Sequence, residues 1–255
     1  MNNDPAKLQI LFQDEHLVAV HKPAGLLLHR SDIDRHETQF LVQIIRNQIR
    51  QRIFPFHRLD KPTSGVVLFA LDSETAGGLQ AQFNHQEVSK TYIALVRGYT
   101  EPSGIIDYPL KRESIYKNPL PHEQNSQETV SQTAVTQFRQ LACTELPIAV
   151  GRYATARYSL VELHPKTGRR HQLRRHLKHI FHPIVGDTTH GDGKHNTMFR
   201  ERFNCHRLML MASSLTLTHP NSGESLTVNT DYDTEFYRVL DELQLPHGIN
   251  SANIA

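Results

Sequence analysis

The chain has 255 residues, of which 38% are hydrophobic and 21% charged, and this composition is typical of a folded globular protein rather than a disordered or fibrous one. A net charge of +2 gives no general attraction for polyanions, and two cysteines cannot build a disulfide framework or a four-thiolate zinc site. The longest apolar runs are too short to cross a bilayer, and the first residues lack the features of a signal peptide. We therefore expect a cytoplasmic protein with no membrane contact.

The first part of the chain combines strand-like and helix-like patterns. Residues 8–23 hold two short apolar runs around a polar turn, which predicts a β-hairpin. Apolar residues at helical spacing predict an amphipathic helix over 35–51. The run VVLFAL at 66–71 predicts a central strand, and Asp72 or Ser73 is a candidate N-cap for the helix that follows it.

Strand patterns continue through the middle of the chain. The segment SKTYIALVRGY at 89–99 predicts a strand, and further strands are predicted at 133–142 and 153–164. Residues 112–132 are polar with little periodicity, so we expect a surface excursion there. Leucines and isoleucine at helical spacing predict a helix over 168–178.

The last part of the chain predicts two strands, at 207–219 and 224–230, and a short helix at 233–243. Strands and helices do not alternate regularly, which argues against a doubly wound parallel sheet. We therefore predict an α+β fold with a mixed, largely antiparallel central sheet and flanking helices.

Positive charge is concentrated at 163–186, a segment that contains no acidic residue. Its cations are Lys166, Arg169, Arg170, Arg174, Arg175 and Lys178. Because a helix that only faces water usually mixes both signs of charge, this cluster indicates an anionic ligand such as a phosphate backbone. A solvated helix face is the alternative interpretation.

Asp60 is a candidate catalytic carboxylate. It lies in the turn-rich segment HRLDKPTSG between Arg58 and Lys61, with His57 nearby. Surrounding cations favour the charged form of a carboxylate, which is the form that acts as a nucleophile or base. The alternative is an aspartate that only accepts hydrogen bonds from backbone amides in a turn.

Two further side chains could serve the same site. Arg174 could reach the Asp60 carboxylate from a helix packed nearby, because a guanidinium pairs with a carboxylate at two points. Tyr92 alternates with Lys90 and Ala94 onto one side of its predicted strand. A half-buried tyrosine usually serves packing, but beside an extruded nucleobase it could stack on the base.

Neither metal nor nucleotide binding is favoured. The four histidines His171, His176, His179 and His182 are crowded into one cationic segment, and their spacing differs from that of a zinc-binding helix. A metal hydrolase built on them is the least favoured alternative. Asp192 occupies the place where a phosphate-binding loop beginning at Gly186 would need a lysine. We expect no metal and no cofactor.

Four segments together resemble the successive motifs of the RluA-type pseudouridine synthases. They occur in the family's order and are HKPAGLLLH (21–29), HRLDKPTSGVVLFA (57–70), KTYIALVRG (90–98), and HPKTGRRHQLRRHL followed by HPIVGD (164–187). His21 departs from the first motif, which more often has Asn before Lys-Pro. The resemblance implies a largely antiparallel fold with a central RNA-binding cleft and an isomerisation of uridine to pseudouridine that needs no cofactor.

The resemblance also assigns roles to individual residues. It implies that Asp60 is the essential aspartate, that Tyr92 packs on the target base and that Arg174 pairs with the aspartate. Arg58 would fill the space that the flipped uridine leaves. The remaining candidate RNA contacts are the cations Arg169, Arg170 and Lys178.

The length and the segment TGRRHQLRRHL match a branch of the family that acts on tRNA, which implies the uridine at tRNA position 65 as the target. A ribosomal RNA target, or a non-catalytic RNA-binding or RNA-folding module, are the alternatives. We expect residues 1–255 to form a single catalytic domain without an S4 RNA-binding domain. No obligate protein partner is implied, and we expect a monomer or a weak dimer.

Overall fold

A ten-stranded sheet forms the centre of the protein in a computed structural model that describes residues 7–29, 38–112 and 131–246. Its strands are β1 (Ile10–Gln13), β2 (Leu17–Lys22), β3 (Phe54–Pro55), β4 (Ser64–Ala70), β5 (Ser89–Arg97), β6 (Ser103–Asp107), β9 (Val135–Leu146), β10 (Ala156–Pro165), β11 (Leu210–Thr218) and β12 (Ser225–Asn229). The main path of the sheet has the strand order β1-β2-β4-β11-β5-β10-β9-β6, with β12 beside β11 and β3 beside β4. The described helices are α1 (Leu41–Ile49), α2 (Ser73–Asn84), α3 (Gln172–His179), α4 (Gly193–Phe203) and α5 (Thr234–Glu242).

The sheet confirms the predicted α+β class. β4 pairs in parallel with β11, and the other strand pairs in the described part of the chain are antiparallel. None of the helices within the described ranges is long and apolar enough to span a membrane.

β4 is the central strand that the apolar run predicted, and all of its residues are buried. Its alternate side chains enter two different cores, with Val67 and Phe69 packing on the α1 side and Val66 and Leu68 on the α2 side. At Gly65 an added Cβ would lie 2.1 Å from the Ala212 carbonyl oxygen, so only glycine allows β4 to lie this close to β11.

Helix α1 begins later than predicted. Residues 38–40 are not helical, Phe40 has extended backbone angles, and the first helical residue is Leu41. The amide of Leu41 donates to the carbonyl of Leu27 at 2.8 Å. The Leu41 amide therefore bonds to the first motif instead of to a preceding turn of helix. The predicted residues 35–37 lie outside the described ranges.

Helix α3 also begins later than predicted, at Gln172 instead of residue 168. The Gln172 side-chain oxygen accepts hydrogen bonds from the Thr167 hydroxyl at 2.7 Å and the Arg169 amide at 3.0 Å. These bonds fold residues 167–171 as a loop, and His171 has a positive φ of 53°. Arg170 was predicted to lie within this helix, but it precedes the helix and therefore shares no helix face with Arg174 and Lys178.

Helix α4 was not predicted. Asp192 caps it by accepting hydrogen bonds from the amides of Lys194 and His195. Its buried apolar side chains are confined to Met198, Phe199 and Phe203, so the helical repeat in the sequence is short.

Most of the predicted excursion at 112–132 cannot be compared with the structure, because residues 113–130 lie outside the described ranges. Its two ends meet, since β7 (Leu110–Lys111) pairs with β8 (Ser131–Gln132).

Candidate active site

Asp60 lies in the loop between β3 and β4, and the loop is tied to the first motif by a buried lysine. Lys22 is 0% exposed, and its Nζ donates to the carbonyls of Pro23 at 2.9 Å, Leu26 at 2.8 Å and Lys61 at 3.0 Å. Burial, and then Arg207, lower the pKa of Lys22 to about 7, while the Asp60 carboxylate acts in the opposite direction. The lysine thus fixes the backbone beside Asp60 and adds a titratable group behind it.

Arg174 joins two carboxylates at the start of helix α3. Its side chain is 5% exposed, with Nε 2.7 Å and Nη2 2.8 Å from the two oxygens of Asp187. Its Nη1 lies 3.6 Å from Oδ2 of Asp60, whose side chain is 25% exposed. The structure therefore brings Asp60 and Arg174 together, but the two-point partner of the guanidinium is Asp187.

The ion pair between Arg174 and Asp187 is held in its charged form. Burial opposes the charge on Arg174, but Asp187, and to a smaller extent Asp60, raise the pKa of the guanidinium. Burial likewise opposes the charge on Asp187, yet Arg174 and the amides of His190 and Thr189 lower the pKa of this carboxyl. Asp60 consequently has beside it a fixed cation whose charge one fully buried carboxylate already balances.

Two histidines extend this group of residues. His171 Nε2 lies 3.9 Å from Oδ2 of Asp60, and His171 Nδ1 lies 3.1 Å from His190 Nε2. If His171 Nε2–H faces the carboxylate, Nδ1 is the acceptor for His190 Nε2–H, so one tautomer satisfies both contacts. We call Asp60, His171, Arg174, Asp187 and His190 the Asp60 cluster.

Tyr92 lies on β5 between the two cores that flank the site. It is half-buried and packs against apolar residues of both. Burial, and then the charge of Asp60, raise the pKa of Tyr92, so the phenol remains protonated. The structure thus places this ring within the electrostatic reach of Asp60.

The side chains of His57 and Arg58 have different surroundings. His57 accepts a hydrogen bond from the Leu68 amide at 2.9 Å and stacks on Phe83, with ring centroids 5.0 Å apart. Burial, and then Lys90, lower the pKa of His57 to about 4. It is therefore a packing residue on the α2 side and not a neighbour of the carboxylate. Arg58 is exposed, and its charge adds to burial in lowering the pKa of His29.

The other candidate RNA contacts differ in how firmly the protein holds them. Arg169 is half-buried, and its Nε donates to the Thr133 carbonyl at 3.0 Å. Arg170 and Lys178 are exposed, the first in the loop before α3 and the second in its last turn. All three belong to the basic segment 163–186, which also contains Arg174.

The remaining histidines of the basic segment bind separate protein groups. His176 contacts the Thr136 hydroxyl at 3.0 Å and the Tyr108 carbonyl at 3.0 Å, whereas His182 contacts the Arg97 carbonyl at 2.9 Å. Among the described residues no group of three or more His, Cys, Asp or Glu side chains is arranged to hold a metal ion.

Sequence reasoning did not identify Lys22, Asp187 or His190 as members of the site. Lys22 and Asp187 belong to the quoted segments HKPAG and HPIVGD, so the signal was present but was not interpreted. His190 had no such signal, because its contact with His171 depends on how the loop after α3 folds back.

Comparison with known proteins gives a consistent assignment. The RNA pseudouridylate synthase family matches residues 16–179. The chain is 52% identical over 235 residues to a tRNA pseudouridine synthase C of Vibrio cholerae, a match that covers 92% of this chain and 95% of the relative. It is 49% identical over 240 residues to the protein of the same name from Vibrio parahaemolyticus, which covers 94% and 96%.

Two solved human structures share the fold. Human RNA pseudouridylate synthase domain containing 4 superimposes with a TM-score of 0.68 at 26% identity, over 93% of this chain and 94% of that one. Domain containing 1 gives a TM-score of 0.66 at 27% identity, over 88% and 83%. Because the family matches more than half of the chain and the relatives match nearly all of it, the chain belongs to the RNA pseudouridylate synthase family.

Proposed function

We propose that the chain isomerises uridine to pseudouridine in tRNA and that Asp60 is its catalytic carboxylate. The observation that carries this proposal is the partly exposed Asp60 oxygen 3.6 Å from the buried guanidinium of Arg174. Relatives called tRNA pseudouridine synthase C, which match nearly the whole chain, support tRNA as the substrate.

The reaction fits this set of side chains. The C1'–N1 bond of uridine breaks, a C1'–C5 bond forms, the C5 proton leaves and N1 gains a proton, so the atoms balance without a cofactor. Asp60 acts on the reacting nucleoside as a nucleophile or base, with Arg174 paired to it. Tyr92 packs on the extruded base, and exclusion of water keeps the detached uracil in place.

RNA binding would rest on cations around the cleft. Arg169, Arg170 and Lys178 belong to the same basic segment as Arg174 and are suited to backbone phosphates, whereas Arg58 would replace the flipped uridine in the stack. The proposed target is the uridine at tRNA position 65. We propose that the protein acts in the cytoplasm as a monomer or a weak dimer, with residues 1–255 as one catalytic domain.

Mapping pseudouridines in a strain that lacks the protein tests the substrate. We expect pseudouridine to be lost at one tRNA position, 65, and to return when the gene is restored. Loss at a ribosomal RNA position instead would contradict the tRNA assignment. Unchanged maps of both RNAs, together with no turnover of tRNA by the purified protein, would contradict the enzymatic function.

A further inference from the structure

The C-terminal end of helix α3 carries an exposed aromatic ring on a strained backbone. The amide of Phe181 donates to the Lys178 carbonyl at 3.0 Å, and the amide of His182 donates to the Leu177 carbonyl at 2.8 Å. This pair of bonds is the Schellman motif, which requires a left-handed residue at Phe181, where φ is 65°. The Phe181 side chain is 81% exposed.

Two other helices of the protein end in the same way but with different side chains. Gln86 after α2 has a φ of 60°, and Gln244 after α5 has a φ of 55°. At Gln244 the corresponding bonds, to the carbonyls of Asp241 and Leu240, are both 2.9 Å. Both glutamines are exposed, as suits a polar side chain in water.

Phe181 therefore departs from what stability alone favours at this position. Glycine would remove the left-handed strain, and glutamine would remove the exposed apolar surface. A bulky residue with positive φ is rare. When such a residue also contributes little packing, it indicates a contact with a binding partner.

The surroundings of Phe181 show which kind of partner would use the ring. Lys178 and His179 are exposed, and His179 stacks on Tyr108 with ring centroids 3.6 Å apart and an angle of 15° between the planes. Tyr108 is itself 42% exposed. Aromatic faces interleaved with cations are the usual construction of sites for unstacked nucleic acid bases.

The position of the ring connects it to the cleft. Helix α3 has eight residues, so about 12 Å separates its ends, and its first turns carry Arg174 towards Asp60. This distance is short enough for one RNA molecule to contact both Asp60 and Phe181.

We propose that Phe181 is a stacking platform for an unpaired base of the RNA substrate, with Lys178 on the adjoining phosphate. This inference rests on the proposed function, because it takes the RNA in the Asp60 cleft as the partner. The ring gains nothing in the free protein, and its contact is made only in the complex.

Tryptophan fluorescence tests the contact directly, since the natural chain contains no tryptophan. Phe181→Trp introduces a single reporter, and Gln244→Trp places the same reporter in the same helix ending elsewhere. Addition of tRNA is expected to quench the emission of Phe181→Trp through stacking and to leave that of Gln244→Trp unchanged. Equal responses of the two variants would overturn the proposal.

A second pair of variants separates the effect on stability from the effect on affinity. Phe181→Gly and Gln244→Gly are both expected to raise the melting temperature, because both relieve the same left-handed strain. Only Phe181→Gly is expected to weaken tRNA binding, by about 5-fold to 150-fold, the range for one stacked base. Its salt dependence should match wild type, whereas Lys178→Ala should lower the salt slope by about one.

Three outcomes separate the possibilities. If wild type turns over tRNA and Phe181→Gly retains wild-type affinity, the stacking proposal is wrong while the proposed function stands. If wild type neither binds nor turns over tRNA, the proposed function itself fails. If sedimentation shows that Phe181→Gly loses self-association without losing affinity for tRNA, the ring serves a second copy of the chain, which also overturns the proposal.

Discussion

Two buried arginines near the start of β4 form similar ion pairs but have different surroundings. Arg207 bonds to Asp233, to the Ser64 hydroxyl at 2.6 Å and to the Leu208 carbonyl at 3.1 Å. Arg174 pairs with Asp187 at two points and keeps Nη1 directed at a second carboxylate, Asp60.

The two guanidinium groups differ in the contacts that they make besides their ion pairs. Besides Asp233, the N-cap residue of α5, Arg207 donates to neutral oxygens, and one of these is the Ser64 hydroxyl at the start of β4. Arg174 meets an oxygen of a side chain that is 25% exposed. A buried arginine-aspartate pair is thus not by itself evidence of an active site. The Arg174 pair differs because a second, partly exposed carboxylate also contacts the arginine.

Removing the carboxylate from each pair gives the largest expected effect. Asp187→Ala leaves the buried Arg174 with Asp60, at 3.6 Å, as its remaining carboxylate, so we expect a loss of about 3–5 kcal/mol in the free energy of unfolding and a loss of turnover. Asp233 is 22% exposed, so Asp233→Ala should cost less, about 1–3 kcal/mol. Urea unfolding and turnover per folded molecule measure both quantities.

The two variants should also differ in activity. Asp233→Ala is expected to retain turnover within about threefold of wild type once corrected for the folded fraction. The opposite result would be a folded but inactive Asp233→Ala variant together with an active Asp187→Ala variant. It would show that the Arg207 pair, and not the Arg174 pair, supports the reaction.

His171 sharpens the description of the Asp60 cluster. A Gln side-chain amide places its nitrogen near the imidazole Nε2, which faces Asp60, whereas an Asn amide places it near Nδ1, which faces His190. We expect His171→Gln to stay within about threefold of wild-type kcat and His171→Asn to lose about tenfold, with KM unchanged in both.

The backbone conformation at His171 predicts the opposite ranking of the Gln and Asn variants if the side chain has no role in the reaction. His171 has a positive φ, a conformation that Asn tolerates better than Gln. If the residue serves only the fold, the Asn variant will be the more stable and the more active of the two. That ranking of kcat would exclude a role for the Nε2 contact.

His21 gives the smallest expected effect and belongs to the Arg207 side. Its Nδ1 lies 2.8 Å from the Thr230 hydroxyl, and its Nε2 lies 4.0 Å from Oδ2 of Asp233. Burial lowers the pKa of His21 from 6.5; Asp233 opposes this effect, while Arg207 and Lys22 add to it. The folded state therefore favours neutral His21, and stability is lost as the pH falls below about 6.5 and the unfolded chain takes up the proton.

His21→Asn removes this titration. Between pH 7 and pH 5 the urea midpoint of the variant should fall less than that of wild type, with turnover unaffected. Parallel stability curves for the two proteins would show that His21 does not contribute to the acid sensitivity.

Sequence patterns predicted those parts of the fold that local chemistry determines. β4 was predictable because a strand buried on both faces is apolar throughout, and Asp72 caps α2 as expected by accepting the Thr75 amide at 2.8 Å. Helix α4 was missed because its sequence GKHNTMFRERF is polar for its first half. The late start of α3 depends on a side-chain bond of Gln172, which no periodicity encodes.

The same division applies to the site. Asp60, Tyr92 and Arg174 were identified from the quoted motifs, and the structure places Arg174 3.6 Å from Asp60 and Tyr92 within the electrostatic reach of the same carboxylate. Asp187 was missed as the two-point partner of Arg174, because Asp60 was the only carboxylate considered for that role and sequence patterns do not give distances between segments. The pairing follows from three-dimensional distance and from the complete burial of the Asp187 side chain.

The most direct test of the central claim is the release of tritium from C5-labelled uridine in tRNA by wild type and by Asp60→Asn. Wild type is expected to release one tritium per pseudouridine formed, whereas Asp60→Asn should release none above background and still bind tRNA with nearly wild-type affinity. Turnover by Asp60→Asn at a rate near that of wild type would contradict the assignment of this carboxylate as the catalytic group.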